Sequence, residues 1–175
     1  MEAFSLKQRK PLVFLTKSGV IAAFYVALTV LLQPICFGSI QCRVSEALTI
    51  LPVYLPEAIP GLTVGCFVSN LIGLSTGANP AGGLDLLLGT AATALAALAT
   101  YLLRQVRWGG LPVLATLPPV IINALIVGAE LYVVYGGLPL VAHMALVAAG
   151  QVVACIGGGL ILSVALEKSG AVRRL

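Results

Sequence analysis

Charged side chains are scarce in this sequence: six acidic and ten basic residues make up 9% of its 175 positions. Soluble domains carry about 25% charged and about 45–50% apolar residues. Here 59% of residues are hydrophobic and the mean hydropathy is +1.07. So few charges cannot cover a water-exposed globule of this length, which leaves an integral membrane protein, with residues 1–175 as a single domain. Histidine occurs once and aromatics make up only 6%. No face combines basic and aromatic side chains on which bases could stack, so nucleic acid is excluded as a partner and the +4 charge reports orientation instead. The four cysteines (Cys36, Cys42, Cys66, Cys155) form no CxxC pair, which argues against a metal site and for packing roles. Cys36 and Cys42 are close enough to pair, but nothing demands it. Also missing are GxxxxGK[ST], HExxH and GxSxG, so neither ATP hydrolysis nor a familiar nucleophile or zinc chemistry is encoded, and no cofactor is implied.

What is present is a series of apolar runs of membrane length, about 20 residues each. The first is 18–37, "SGVIAAFYVALTVLLQPICF". A shorter run follows at 44–55, ended by Pro52 and Pro56, then 58–74, a turn-rich "STGANPAGG" loop, 84–103, 111–135 and 138–166. The pattern predicts an all-α bundle of six transmembrane helices, the second being the weakest. The period-two alternation of a membrane β-barrel is absent. With both termini cytoplasmic, the tails 1–17 and 167–175 and the 104–110 loop share one side. They hold Lys7, Arg9, Lys10, Lys17, Arg104, Arg107, Lys168, Arg173 and Arg174, every basic residue but Arg43, as the positive-inside rule requires.

Small residues recur at helical spacing: Gly61, Gly65, Ser69 and Gly73 in one run, Gly150, Ala154 and Gly158 in another, Ala23 and Ala27 in the first. In lipid, such stripes let helices approach closely. The remaining polar groups gather toward the outer half of the bundle: Gln41, Arg43, Glu46, Asn70, Asn79, Asp85, Glu130 and His143. Ionisable groups inside a membrane mark a ligand or ion pathway. Arg43 and Glu46, three residues apart, either neutralise each other or face arriving ligand at the mouth of a pocket. Carboxylates and amides in an apolar pocket suit a flat heterocycle with several N–H donors, with Tyr132, Tyr135 and Phe37 for stacking. A cationic amine satisfies the same set. Asn123, at mid-membrane, is expected to matter less than Glu130.

The stretch "FGSIQCRVSEALTILPVYLPEAIPGLTVGCFVSNLIG", 37–73, resembles the QueT family of queuosine-precursor transporters through its "IQ-x-R-x-SEAL…LP" and "AIPGL-x-x-GC…N-x-x-G" blocks. Cys42 departs from that pattern, where a bulky apolar residue is expected. The resemblance implies a substrate-binding (S) component of an energy-coupling-factor importer at the cell membrane. It further implies six helices, an outward-facing site and a 7-deazaguanine ligand. A transmembrane coupling subunit and two ATPase subunits would be the partners, with Ala23 and Ala27 as the partner-facing pair. Gln41, Arg43, Glu46, Asn70, Asn79, Glu130 and His143 are the candidate substrate-binding residues. The alternatives are an S component for another heterocycle or vitamin, a small intramembrane hydrolase using Glu130 and His143, or a purely structural subunit.

Overall fold

The computed structural model describes the backbone of residues 2–38 and 41–170, with side chains from residue 11. Ile40 of the family-like motif and the side chains of Lys7, Arg9, Lys10, Arg173 and Arg174, on which much of the charge argument rests, lie outside the described residues. Every regular element among those described is helical. They run α1 (Glu2–Leu31), α2 (Gln33–Cys36), a 3-10 helix (Val44–Val53), α3 (Ala58–Ser75), α4 (Gly83–Leu102), a 3-10 turn (Val113–Thr116), α5 (Leu117–Tyr135), α6 (Leu140–Gln151), a π-helical segment (Val152–Gly158) and α7 (Gly159–Lys168). Five stretches are long and apolar enough to cross a membrane: Pro11–Leu31, Ala58–Ser75, Gly83–Leu102, Val113–Tyr135 and Leu140–Lys168. Val44–Val53 is a shorter apolar helix.

Five of the six predicted runs return as stretches of membrane length with shifted ends, and the run 44–55 returns as the ten-residue 3-10 helix, too short to count as a sixth span by length. α1 starts well before residue 18 and stops at Leu31, because Pro34 has no N–H to offer the Val30 carbonyl; the proline stands instead in the first turn of the short α2. Pro118 and Pro119 instead stand in the first turn of α5, where no N–H is required. Gly136 ends that helix at φ 59, a left-handed backbone that glycine adopts without strain.

Successive long helices are neighbours: α1 with α3, α3 with α4, α4 with α5, and α5 with α6. The 3-10 helix lies among α1, α3, α4, α7 and the π-helical segment. At about 2.0 Å per residue its ten residues reach about 20 Å, against about 15 Å as α-helix. The tighter winding lets a short apolar segment link the two ends of the bundle. It also stacks side chains in three columns, and the column Glu46, Thr49, Pro52 is buried throughout.

The glycine stripes are intramolecular contact surfaces, as expected. A Cβ on Gly61 would stand 2.7 Å from the Ser18 carbonyl oxygen, and one on Gly65 would stand 2.8 Å from the Tyr25 Cβ, so α3 meets α1 almost backbone to backbone. Gly158 does the same for the π-helical segment, 2.9 Å from the Ala47 Cβ of the 3-10 helix. Ala23 and Ala27 are different: both are exposed on α1. Cys36, Cys66 and Cys155 are buried, Cys42 half-buried, and all four are free thiols.

Candidate functional site

The C-terminal ends of α1, α3 and α5 and the start of α4 lie at one end of the bundle, and the polar groups concentrate there. Arg43, only 3% exposed, caps the 3-10 helix and forms an ion pair with Asp85 in the first turn of α4. Asn79 donates to the Asp85 carboxylate at 2.7 Å, and Asn70 donates to the Asp85 carbonyl oxygen at 2.7 Å. The Phe37 ring lies 5.2 Å from the Arg43 guanidinium, within cation–π range. Two glycines make room. A Cβ on Gly89 would collide with the Asp85 carboxylate, and one on Gly73 would come within 2.8 Å of Phe37. The turn-rich loop folds inward because Asn79 bonds to the Gly73 carbonyl through its backbone N–H and accepts the Ala81 N–H on its side chain.

This arrangement overturns two expectations. Arg43 is neutralised by Asp85, 42 residues away, and not by Glu46. Nor do Arg43 and Glu46 stand at a water-facing mouth, since both are buried. Glu46 has its own set of donors: the Tyr25 hydroxyl, the Thr93 hydroxyl at 3.4 Å and the Asn123 amide at 3.5 Å. Asn123, expected to matter less than Glu130, therefore joins the same buried polar cluster as Glu46. Beside this group, Thr29 bonds to Ser45 at 2.7 Å, and the Cys66 thiol accepts from Thr93 at 3.3 Å and from Arg43 at 3.8 Å.

Glu130 is the contrast. It is 3% exposed, within electrostatic reach of Asp85 and Arg43, and neither of its oxygens has a hydrogen-bond partner. Apart from Glu57 Oε2, the other buried side-chain atoms without partners among the described residues are Arg43 Nε, Asp85 Oδ1, Asn70 Oδ1, Thr90 Oγ1 and His143 Nδ1. An unsatisfied buried polar atom costs about 1–3 kcal/mol, and native folds tolerate few. Acceptors predominate in this set. Of the remaining candidates, Gln41 is buried at φ 43 and its carbonyl accepts the Arg43 N–H at 3.0 Å, so it sets the turn that delivers Arg43. His143 Nε2 lies 3.2 Å from the Gly136 carbonyl oxygen, and its ring meets Tyr132 edge-on at 6.2 Å. His143 thus joins α6 to the end of α5, while Tyr132 and Tyr135 are largely exposed.

Tyr25, Asp85, Thr93 and Asn123 were not among the candidate residues drawn from the sequence. Depth was the available signal for Asp85: a buried arginine near the outer face needs an acid at the same level, and Asp85 opens α4 there. Tyr25 and Thr93 carry no such mark in their apolar helices.

The fold is thus a helical membrane bundle with a buried, incompletely satisfied polar cluster at one end. The description of the QueT transporter family matches residues 15–168, nearly the whole chain, and the protein belongs to that family. No curated protein and no solved structure matches it. QueT proteins are substrate-binding S components of energy-coupling-factor transporters. This multi-pass protein of the cell membrane is therefore a transporter subunit that functions with such a module, and not an enzyme.

Removing one member of a buried ion pair strands the other, at a cost of about 3–5 kcal/mol. Asp85→Asn should lower unfolding stability by that order in detergent, whereas Arg43→Met with Asp85→Leu should recover much of it. Unchanged stability in Asp85→Asn, measured by denaturant titration, would show that the pair does not hold the site.

Proposed function

We propose that this S component captures a queuosine precursor, a 7-deazaguanine base, for import, with ATP hydrolysis supplied by partner subunits. The buried Glu130 carboxylate, unpartnered on both oxygens, carries this reading. The N1–H and exocyclic amine of such a base form a parallel donor edge, which one carboxylate accepts through two charge-assisted bonds. Arg43 Nε and the Thr90 hydroxyl, both unpartnered, are donors for the C6 carbonyl, which adjoins N1–H on the same edge of the base. Glu46 already receives three donors, so its role is to shape the pocket floor with Asn123. Arg43, Asn70 and Asn79 frame the pocket through Asp85, while Gln41 and His143 hold its edges.

Counting the 3-10 helix as the second of six, both termini are cytoplasmic and the cluster faces outward. Arg104, Arg107 and Lys168 then lie at the cytoplasmic end. The chain encodes no P-loop, consistent with a transmembrane coupling subunit and two ATPase subunits as partners. Ala23 and Ala27 line an open apolar groove of about 640 Å³ with Val26, Val30, Val68 and Ile72, a shape that admits a close helix from the coupling subunit.

Three outcomes are expected. Glu130→Gln turns an acceptor into a donor facing a donor, losing a bond worth about 1.5–3 kcal/mol and leaving an unsatisfied donor costing about 1–3 more. Affinity for 7-aminomethyl-7-deazaguanine, read as thermal stabilisation, should drop by about two orders of magnitude with the fold intact. Parent-like affinity would remove Glu130 from ligand contact, and stabilisation by a vitamin but by no deazaguanine would replace the substrate. Leucines at Ala23 and Ala27 should weaken co-purification with the coupling subunit while ligand binding survives; the reverse result assigns the pair to the fold. In a Cys42→Ser background, an impermeant thiol reagent should label Pro80→Cys on intact cells and spare Trp108→Cys, and the opposite pattern would invert the topology.

A further inference from the structure

At the end of the bundle opposite the polar cluster, the 3-10 helix and the chain leaving α4 enclose a polar cavity of about 280 Å³. Its walls include Tyr54, Tyr101, Arg104, Gln105 and Arg107. The volume exceeds that of a single ordered water, about 30 Å³, roughly ninefold. The two arginines are held differently. Arg107 donates to Glu167 at 2.6 Å, and Glu167 also accepts from the Tyr54 hydroxyl at 2.8 Å, which in turn lies 2.6 Å from the Ser163 hydroxyl. Arg104 has no carboxylate partner among the described residues; it lies 3.9 Å from the Tyr101 ring centroid and donates to the Tyr101 carbonyl oxygen at 3.1 Å. One guanidinium charge thus remains uncompensated in a preformed, aromatic-backed cavity.

The surroundings fix the depth. Trp108 is 70% exposed and Leu102 is 69% exposed, so an interfacial aromatic and a lipid-facing aliphatic flank the cavity. Exposed tryptophan marks the headgroup level of a bilayer, and basic pockets between membrane helices at that level bind anionic headgroups. We propose that this cavity is a binding site for the phosphodiester of an anionic phospholipid, with Arg104 as its principal contact and Arg107, braced by Glu167, as the second. Phosphate oxygens accept from both guanidinium groups, and the acyl chains run along the exposed face near Leu102. The bound lipid bridges the 3-10 helix and the 104–110 loop at the end remote from substrate, and the site is independent of which substrate the outer cluster takes.

The test is thermal unfolding of the full-length protein in detergent, titrated with dioleoylphosphatidylglycerol or dioleoylphosphatidylcholine. Phosphatidylglycerol should stabilise the parent saturably and phosphatidylcholine should not. Arg104→Gln should weaken the apparent affinity roughly fivefold, as expected for one basic residue at a membrane surface. Arg104→Lys should keep most of it, and Lys168→Gln, a charge removed outside the cavity, should leave it unchanged. Equal stabilisation by both lipids, or an equal loss in Lys168→Gln, would overturn the site. Arginine-dependent stabilisation by inorganic phosphate alone would assign the cavity to a soluble anion and overturn the lipid.

Discussion

A guanidinium shut into a helical bundle must meet its countercharge there, because neither lipid nor a packed interior can hydrate it. Arg43 meets Asp85, and much of the local architecture serves that encounter. Gly89 leaves room for the carboxylate, the 75–83 loop tucks in so that Asn79 can reach it, and Asn70 occupies the carbonyl of the same residue. The pair also fastens the start of the 3-10 helix to the start of α4. Elements distant in sequence are thereby held at one depth, and the polar groups that line the site inherit their positions from this contact.

The two carboxylates nearest this pair, Glu46 and Glu130, differ in how they are satisfied. Glu46 is deep and already supplied with donors from α1, α4 and α5, so it ties three helices together through one side chain. Glu130 is equally buried but unsatisfied. A binding subunit of a transporter needs both kinds. In the proposed reading, the satisfied acid keeps the pocket's shape when ligand is absent, and the unsatisfied one makes ligand the better partner. As an S component, the chain functions with an energy-coupling-factor module.

Hydropathy made the long helices legible, since each run of membrane length lies largely within helix, although α1 begins sixteen residues before its run and the last run is interrupted by a π-helical segment. The glycine stripes were equally readable, because only glycine permits the 2.7 Å and 2.8 Å approaches at Gly61 and Gly65. Pairing across helices was not. Spacing along one chain favoured Arg43 with Glu46, yet a 3-10 column carries Glu46 toward Tyr25, Thr93 and Asn123 while Arg43, at the cap, turns to α4. Asn123 looked isolated because its partner sits 77 residues away. Winding too was hidden: nothing in "VSEALTILPV" distinguishes a 3-10 from an α-helix, and the choice follows from the distance the segment has to cover.

That winding constrains how the segment can change over time. With three residues per turn, each position belongs to one of three columns, and adding or deleting a single residue rotates everything beyond it by about 120°. An α-helix spreads such an error around its circumference and can absorb part of it. Here the Glu46 column would be exchanged wholesale for its neighbour, and the tight seam at Gly158 would face a different side chain. Between Arg43 and Tyr54 the gene can therefore drift by substitution but not by length, and the segment acts as a ruler whose count of residues is itself inherited.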